Sequence, residues 1–156
     1  GLLGDSAGGY VVQMAGATNG EKNWDVGDFK EVSSDVQAVV SIYGISDLTT
    51  IGEGIGNENV HASAAVTEAL LLNGPAFKDF AGASVNADPQ KAKAASPIGH
   101  VDGTEPPFLL MHGSGDKVEA EYVLVRGAGH GDLPWYQPGV ISRVVNFFDR
   151  HLKRTE

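Results

Sequence analysis

Two short stretches of this chain are apolar almost throughout, Val36–Tyr43 and Phe108–Gly113. Apolar runs without alternation are typical of strands that are buried on both faces of a parallel sheet. Parallel neighbours are joined by crossover connections, which are usually helices. Helical patterns occur at Ala7–Ala17 and at Val140–Lys153. We therefore predict an α/β fold in which helices flank a mostly parallel sheet.

The remaining elements are predicted with less regular patterns. A third strand is expected at Glu121–Arg126, where some alternation suits a strand nearer a sheet edge. The segment 45–101 has little strand character, so we interpret it as a cap or insertion within one domain that spans residues 1–156. Its predicted elements are helices at Ala62–Leu72 and Pro75–Phe80 and turns at Asp88-Pro89 and Ser96-Pro97.

The segment Gly4-Asp5-Ser6-Ala7-Gly8 fits the pattern G-x-S-x-G. This pattern is typical of a nucleophile elbow, a sharp turn from a strand into a helix that exposes the serine oxygen. The serine then has a strained backbone, and we expect Gly4 and Gly8 to remove collisions with bulky neighbours. Alone the pattern is weak, because a serine between glycines also occurs in ordinary turns.

Two further residues follow predicted strands in an equivalent way. Asp116 lies in the loop after the second strand, and His130 lies in the loop after the third. Functional residues of open α/β sheets gather beyond the carboxyl ends of the strands. The chain order serine, acid, histidine is that of the α/β-hydrolases. We therefore predict a catalytic triad of Ser6, Asp116 and His130.

With these residues the chain resembles the carboxylesterase branch of the α/β-hydrolase superfamily. It is similar to bacterial feruloyl and acetylxylan esterases and to hormone-sensitive-lipase-like esterases. The matching segments are Gly4-Asp5-Ser6-Ala7-Gly8-Gly9, Ser41-Ile42-Tyr43-Gly44, Ala95-Ser96-Pro97, Pro107–Gly113 and Gly127-Ala128-Gly129-His130-Gly131. The resemblance implies that residues 1–156 are part of an α/β-hydrolase catalytic domain.

The resemblance implies a role for each residue. Ser6 attacks an ester carbonyl, and His130 takes the serine proton and later returns it to the leaving alcohol. Asp116 holds the histidine ring in the useful tautomer. The backbone N–H of Ala7 is a donor of the oxyanion hole. The acyl-enzyme is hydrolysed by water, and no metal or organic cofactor is needed.

Several residues have competing interpretations. Asp102 and Asp132 compete with Asp116 for the role of the acid, although Asp132 is close in sequence to the histidine. Asp5 and Trp135 are candidate residues of a substrate pocket. Packing against the last helix is the more frequent role for a residue such as Trp135 and its neighbour Tyr136.

Other features favour structural roles. His112 at a strand end is expected to be structural, and Asp47 is expected to cap or anchor a loop. The apolar stretch 69–72 fits a lid over the substrate or ordinary core packing. The histidines expected in loops or at the surface, without metal-ligand spacing, are His61, His100 and His151.

Composition excludes some partners. The 156 residues include 11 basic and 20 acidic side chains, a formal net charge of -9. This charge argues against nucleic acid and against an anionic membrane surface. The chain has no cysteine, which leaves the redox compartment open. A small-molecule ester is the expected partner, and the sequence is compatible with a homo-oligomer.

Two departures from the resemblance lead to further expectations. No strand or His-Gly-Gly loop precedes Gly1, so we expect the chain to be the C-terminal part of the fold with the N-terminal strands absent. Only 114–120 separates the second and third predicted strands, whereas a parallel crossover needs about a dozen residues. We therefore expect a helical segment to be missing near Val118-Glu119.

The function that these features favour is a serine carboxylesterase acting on small or aromatic acyl esters, including those of plant polysaccharides. A peptidase or amidase on the same fold is an alternative, because a triad serves both chemistries. A non-catalytic binding protein that keeps the scaffold is a second alternative. The presence of all three triad residues argues against it.

Overall fold

A computed structural model describes residues 1–53, 58–74, 82–113, 123–125 and 130–152. Its contacts divide the chain into two compact units. The first unit contains Gly1–Gly44 and Val101–Glu156, and the second contains Ile45–His100. The first unit carries the sheet and the residues around Ser6, and its architecture is described first. The role of 45–101 as a cap stays a prediction.

The sheet of the first unit is parallel in every described pairing. Its strands are β1 (Leu2–Asp5), β2 (Val39–Ile42), β3 (Phe108–Gly113) and β4 (Val123–Val125), and they lie in the order of the sequence. Leu2 is paired with Val39, Val39 with Phe108, and Met111 with Val123. All four strands therefore end at the same edge of the sheet.

Helices cover both faces of this sheet. On one face, α1 (Ala7–Ala17) comes close enough to β2 and β3 that a Cβ on Gly16 would lie 2.7 Å from Val39 and 2.6 Å from Phe108. On the other face, the side chains of Val40 and Met111 form a core cluster with Val144 of α5 (Pro138–Leu152). Successive residues of a strand point to opposite faces, so the side chains of Val39 and Val40 lie on different faces of the sheet. The predicted α/β class, with a parallel sheet between helices, is confirmed.

Strand β2 is shorter than the predicted strand Val36–Tyr43. The side chain of Asn19 accepts a hydrogen bond from the Val36 N–H at 2.9 Å and donates one to the Val36 carbonyl at 2.8 Å. Both backbone groups of Val36 are thereby satisfied outside the sheet. The predicted burial on both faces is correct, since Val39, Val40 and Ser41 are all fully buried.

The last helix agrees closely with its predicted pattern. α5 begins at Pro138, two residues before the predicted start, because proline suits the first turn of a helix. Val144 is buried, and Val140, Phe147 and Phe148 pack against the core cluster. The predicted last residue, Lys153, lies outside the described residues.

The second unit is built from short helices. They are α2 (Glu58–His61), α3 (Thr67–Asn73) and α4 (Pro89–Ala94). The predicted helix Ala62–Leu72 was too long at its start, where the Ser63 hydroxyl accepts a hydrogen bond from the Ala65 N–H at 3.2 Å. Such a local turn competes with the helix. The predicted helix Pro75–Phe80 lies outside the described residues.

The prediction of a turn at Asp88-Pro89 was wrong. Asp88 is the N-cap of α4, where its side chain accepts a hydrogen bond from the Lys91 N–H at 3.0 Å, and Pro89 is the first helical residue. An N-cap aspartate followed by proline is a helix start. The short 3-10 helices of the two units are Lys22–Trp24, Val85–Ala87, Pro97–His100 and Leu133–Tyr136.

The third predicted strand is present as β4, and it runs parallel to β3. Residues 114–122 between them lie outside the described residues, so the expected missing segment near Val118-Glu119 stays a prediction. Within the described ranges, no helix combines the length and apolar character that crossing a membrane requires.

Candidate active site

Ser6 lies at the turn between β1 and α1 and has an unusual backbone conformation. Its φ is 50° and its ψ is -120°. A residue with a side chain adopts this region only when its surroundings impose it, at a cost of about 1–3 kcal/mol. The Ser6 N–H donates to the carbonyl of Ile42 at 3.0 Å, which ties the turn to the end of β2. Ser6 therefore has the backbone of a nucleophile elbow.

The two glycines of the elbow have different roles. A Cβ on Gly4 would lie 2.2 Å from the carbonyl oxygen of Gly8, which is backbone and cannot move aside. A Cβ on Gly8 would find only the Asp5 carboxylate, at 4.0 Å. The expectation that both glycines remove collisions is correct for Gly4 and wrong for Gly8. The Gly8 carbonyl is the group that a Cβ on Gly4 would strike, whereas a Cβ on Gly8 itself would strike nothing.

A second pair of glycines allows α1 to approach β2. A Cβ on Gly9 would lie 2.8 Å from the Cα of Gly44, and a Cβ on Gly44 would lie 2.5 Å from the carbonyl carbon of Gly9. The buried Ser41 hydroxyl beside them donates to the Gly9 carbonyl at 3.2 Å and accepts from Gln13 at 2.9 Å. This backbone contact fixes the helix that follows Ser6 against the sheet.

Ser6 and His130 are brought together. Ser6 Oγ and His130 Nε2 lie 2.9 Å apart, which is hydrogen-bonding distance, and 124 positions separate the residues in the sequence. His130 is exposed and lies in a turn with Gly131, which has a φ of +76°. A hydroxyl next to an imidazole nitrogen can pass its proton to that nitrogen as it attacks an electrophile.

Ala7 is the first residue of α1. The N–H groups at the start of a helix are not used by the helix's own hydrogen-bond pattern, and the helix dipole places partial positive charge there. The Ala7 N–H is therefore placed beside Ser6 in the way that an oxyanion donor requires. Its catalytic role stays a proposal.

Asp102 and Asp132, two of the three candidate acids, lie within the described residues. Asp116 lies outside the described residues. Asp102 accepts hydrogen bonds from the Thr104 hydroxyl at 2.7 Å and from the Thr104 N–H at 3.0 Å, and these bonds lower the pKa of Asp102. Asp102 is thus engaged in its own turn. Asp132 is exposed, and its carbonyl accepts a hydrogen bond from the Trp135 N–H at 3.2 Å.

Tyr43 is a site residue to which the sequence analysis gave no role. It follows β2, is 5% exposed, and its hydroxyl donates to Asp5 Oδ2 at 3.0 Å. Its ring centroid lies 4.6 Å from that of His130 and 4.9 Å from that of Trp135. Its position as the last residue of the predicted strand Val36–Tyr43 indicated that it lies at the sheet edge, but not which role it has there.

Burial raises the pKa of Tyr43, and hydrogen bonds with Tyr136 and Asp5 raise it further. The ionised phenolate would be poorly solvated and would lie beside the Asp5 carboxylate. Tyr43 therefore keeps its proton at neutral pH and donates a hydrogen bond to Asp5.

The two candidate pocket residues line the same cavity. A half-open pocket of about 310 Å³ is lined by Leu3, Gly4, Asp5, Ile42, Tyr43, Trp135 and Tyr136. Trp135 is 2% exposed and also belongs to the core cluster. Trp135 therefore both lines the pocket and packs in the core. A role of Asp5 and Trp135 in substrate binding stays a proposal.

The remaining candidates have structural contacts. His112 is buried in β3, His61 contacts Glu68, and the Nε2–H of His100 donates to the Ala94 carbonyl at 2.8 Å. Asp47 anchors its loop by accepting a hydrogen bond from the Thr49 N–H at 2.8 Å. The ring of His151 lies 4.7 Å from that of Phe147.

The stretch 69–72 has one buried side and one exposed side. Ala69 and Leu72 are buried, whereas Leu71 is 58% exposed. Core packing accounts for the buried pair, and a lid role stays a prediction. Among the described residues, no group of three or more His, Asp or Glu side chains is placed to hold a metal ion.

A comparison with known families assigns the chain to one of them. The model of the esterase family BD-FAE matches residues 1–121, a range that contains Ser6. The chain belongs to the BD-FAE family. The predicted resemblance to α/β-hydrolase esterases is thereby confirmed.

Two curated relatives of this BD-FAE chain come from Mycobacterium tuberculosis. The probable carboxylic ester hydrolase LipM is 27% identical over 117 residues, and the esterase LipQ is 32% identical over 116 residues. The matches cover 75% and 74% of this chain, and 24% of each relative. The chain thus spans about a quarter of the length of these relatives.

Solved structures share the fold of the BD-FAE chain. A bifunctional GH43-CE protein of Bacteroides eggerthii aligns with a TM-score of 0.75 and 24% identity, over 96% of this chain and 21% of its own. A truncated carbohydrate esterase from gut microbiota aligns with a TM-score of 0.73 and 23% identity, over 96% of this chain and 58% of its own.

Proposed function

We propose that this chain carries the catalytic centre of a serine carboxylesterase that acts through an acyl-enzyme. One observation carries the proposal: Ser6 Oγ lies 2.9 Å from His130 Nε2, and Ser6 sits on a strained turn directly before a helix. A nucleophile, a base within reach and a helix N-terminus are the parts that acyl transfer needs. Membership of BD-FAE and the ester hydrolase names of the relatives support it.

The reaction follows from the positions of these atoms. Ser6 Oγ attacks the ester carbonyl carbon while its proton moves to His130 Nε2. The carbonyl oxygen acquires negative charge, which the Ala7 N–H stabilises at the start of α1. The imidazolium then gives the proton to the alkoxide as the C–O bond breaks, and the alcohol leaves. Water repeats the sequence on the acyl-enzyme and releases the acid.

Asp116 completes this proposal as the acid that orients His130. It would accept a hydrogen bond from Nδ1–H, which fixes the tautomer that leaves Nε2 free to accept a proton. Asp102 is the weaker candidate because its carboxylate already accepts two hydrogen bonds from Thr104.

The proposed substrates are esters of small or aromatic acids, including feruloyl and acetyl esters of plant polysaccharides. One of the solved structures that share this fold is a carbohydrate esterase and another is a bifunctional GH43-CE protein, which favours a sugar-linked alcohol. The aromatic side chains of Trp135 and Tyr136 beside the pocket favour a flat acyl group or sugar ring.

Hydrolysis of p-nitrophenyl acetate and butyrate by the full-length protein tests the proposal. We expect Ser6→Ala to lower kcat by at least about 10⁴-fold, whereas Ser34→Ala, at an exposed serine, leaves kcat unchanged. Matched p-nitroanilides test the peptidase or amidase alternative, and methyl ferulate and acetylated xylan test the acyl group. Turnover that survives in Ser6→Ala would contradict the proposal, and absent turnover would favour a non-catalytic scaffold.

A further inference from the structure

We propose that Tyr43 is a positioning residue that holds the His130 ring within reach of Ser6, and that Asp5 fixes Tyr43 in turn. The inference rests on the proposed function, because it assigns a role within that active site. It adds to Ser6, Asp116 and His130 a fourth side chain that touches no reacting atom.

The contact between the two rings is the first observation. The Tyr43 and His130 ring centroids lie 4.6 Å apart with an angle of 57° between the planes. Tilted arrangements at this distance are favourable for aromatic pairs. His130 itself is exposed, so the buried ring of Tyr43 offers it a fixed surface on the protein side. Movement of that surface would move Nε2 relative to Ser6.

The Tyr43 ring is itself held on two sides. Its hydroxyl donates to Asp5 Oδ2 at 3.0 Å, and the Tyr43 and Trp135 rings form a T-shaped contact with their centroids 4.9 Å apart. Trp135 is buried in the core cluster. A Cβ on Gly131 would lie 3.8 Å from the Tyr43 hydroxyl, so the phenol lies close to the turn that carries His130.

The backbone around Tyr43 connects both halves of the site. Tyr43 has a φ of 42°, a left-handed conformation that is uncommon for a residue with a large side chain. Its N–H donates to the Met111 carbonyl at 2.7 Å, which holds this conformation. The preceding carbonyl, of Ile42, accepts the Ser6 N–H at 3.0 Å. Two consecutive residues at the end of β2 therefore fix the backbone of the nucleophile and the ring of the base.

Asp5 closes the chain of contacts. It is the residue directly before Ser6, so the Tyr43–Asp5 hydrogen bond joins the ring beside His130 to the elbow itself. Burial and this hydrogen bond keep the phenol protonated, which maintains the donor. Errors of about 1 Å in the placement of a catalytic group can cost about 10²-fold in rate. A positioning contact of this kind affects kcat more than KM.

Three substitutions in the full-length protein test the inference. Tyr43→Leu and Tyr43→Met remove the ring, and methionine retains more of the volume of the core cluster. Tyr43→Phe keeps the ring and removes only the hydroxyl, with its hydrogen bonds to Asp5 and Tyr136. Val144→Ala is the matched control, because it weakens the same core cluster from α5 without a ring contact to His130. Steady-state kinetics with p-nitrophenyl acetate and thermal unfolding are measured for each.

We expect the two ring-free variants to lose roughly 10- to 100-fold in kcat, with KM changed by less than about threefold. Tyr43→Phe should lose only about two- to threefold in kcat, because the ring remains while its hydrogen bond to Asp5 is lost. Val144→Ala should lower the Tm while kcat per folded molecule stays near that of wild type.

Two outcomes would overturn the inference. One is a kcat of Tyr43→Leu or Tyr43→Met within threefold of wild type, or no greater loss than in Val144→Ala. The other is a failure of both ring-free variants to fold, which would assign Tyr43 to stability instead. Failure of the proposed function has a different signature, because the wild type would then show no turnover that depends on Ser6.

Discussion

Ser6 Oγ lies 2.9 Å from His130 Nε2, although the two residues stand near opposite ends of the chain. The parallel sheet explains how they meet. β1 ends immediately before Ser6, β4 ends five residues before His130, and parallel strands in one sheet end at one edge. Ser6 and His130 are therefore placed by strand topology, and the strained turn at Ser6 refines the position of the hydroxyl.

Gly4→Ala should damage the elbow. The new Cβ would lie 2.2 Å from the Gly8 carbonyl oxygen, so the β1–α1 turn must open and Ser6 must move. We expect a loss of about 1–3 kcal/mol in the free energy of unfolding and a loss of about 10²-fold in kcat. Urea unfolding and ester hydrolysis measure the two effects.

Gly8→Ala is the matched control for that substitution. Its Cβ would meet only Asp5 at 4.0 Å, and alanine is a better helix former than glycine by about 1 kcal/mol. Stability should stay equal or rise. If Gly8→Ala destabilised the protein as much as Gly4→Ala, the steric account of the elbow would be wrong.

Gly44→Ala should separate α1 from β2. Its Cβ would lie 2.5 Å from the Gly9 carbonyl carbon and 2.5 Å from Ser41 Oγ, so backbone must shift. We expect a loss of about 1–3 kcal/mol in the free energy of unfolding. Gly139→Ala in α5 meets nothing within 4 Å and should be neutral or stabilising by up to about 1 kcal/mol. Equal Tm values for the two variants would contradict this account.

Asp116→Asn and Asp102→Asn separate two of the candidate acids. If Asp116 orients His130, its amide would favour the wrong tautomer, and kcat should fall by about 10³–10⁴-fold. Asp102 accepts hydrogen bonds within its own turn, so Asp102→Asn should leave kcat nearly unchanged. The reverse pattern in ester hydrolysis would transfer the role to Asp102.

Much of this fold follows from sequence patterns, and the misses have identifiable causes. The bounds of α1 and β3 agree with their predictions because apolar pattern and glycine boundaries point to the same ends. The predicted start of β2 at Val36 was wrong because the side chain of Asn19 hydrogen-bonds both backbone groups of Val36, a tertiary contact that no periodicity reveals. The start of α4 was missed although its N-cap aspartate and first-turn proline are visible in the sequence.

The site was predicted less completely than the fold. The G-x-S-x-G pattern around Ser6 and the glycine-rich loop of His130 after a predicted strand could be found directly in the sequence. Tyr43 could not be assigned a role, because its importance depends on a ring contact across 87 positions that only the folded chain creates. The difference between Gly4 and Gly8 likewise depends on which backbone atoms face each glycine.

Tyr43 should make stability fall at alkaline pH. Its pKa in the folded protein is raised by burial, whereas an unfolded tyrosine titrates near 10. Its contribution is therefore complete below about pH 10 and is lost as the pH rises further, because only the unfolded chain releases the proton. The slope is at most about 1.4 kcal/mol per pH unit for this one group.

Urea unfolding between pH 9 and pH 11 measures this effect by comparison with Tyr43→Phe, which lacks the titrating group. The wild type should lose more stability than Tyr43→Phe over that interval, which brackets the pKa of about 10 of an unfolded tyrosine. Parallel losses in the two proteins would show that Tyr43 ionises equally in both states.

Labelling with a fluorophosphonate, followed by peptide mass spectrometry, shows whether Ser6 and His130 form the active pair. The reagent phosphonylates a serine that a neighbouring base activates. We expect a single adduct on Ser6 in the full-length protein, its loss in Ser6→Ala, and labelling at least about 10³-fold slower in His130→Gln. An adduct on another serine, or labelling of Ser6 at the wild-type rate in His130→Gln, would contradict the claim that these two residues form the active pair.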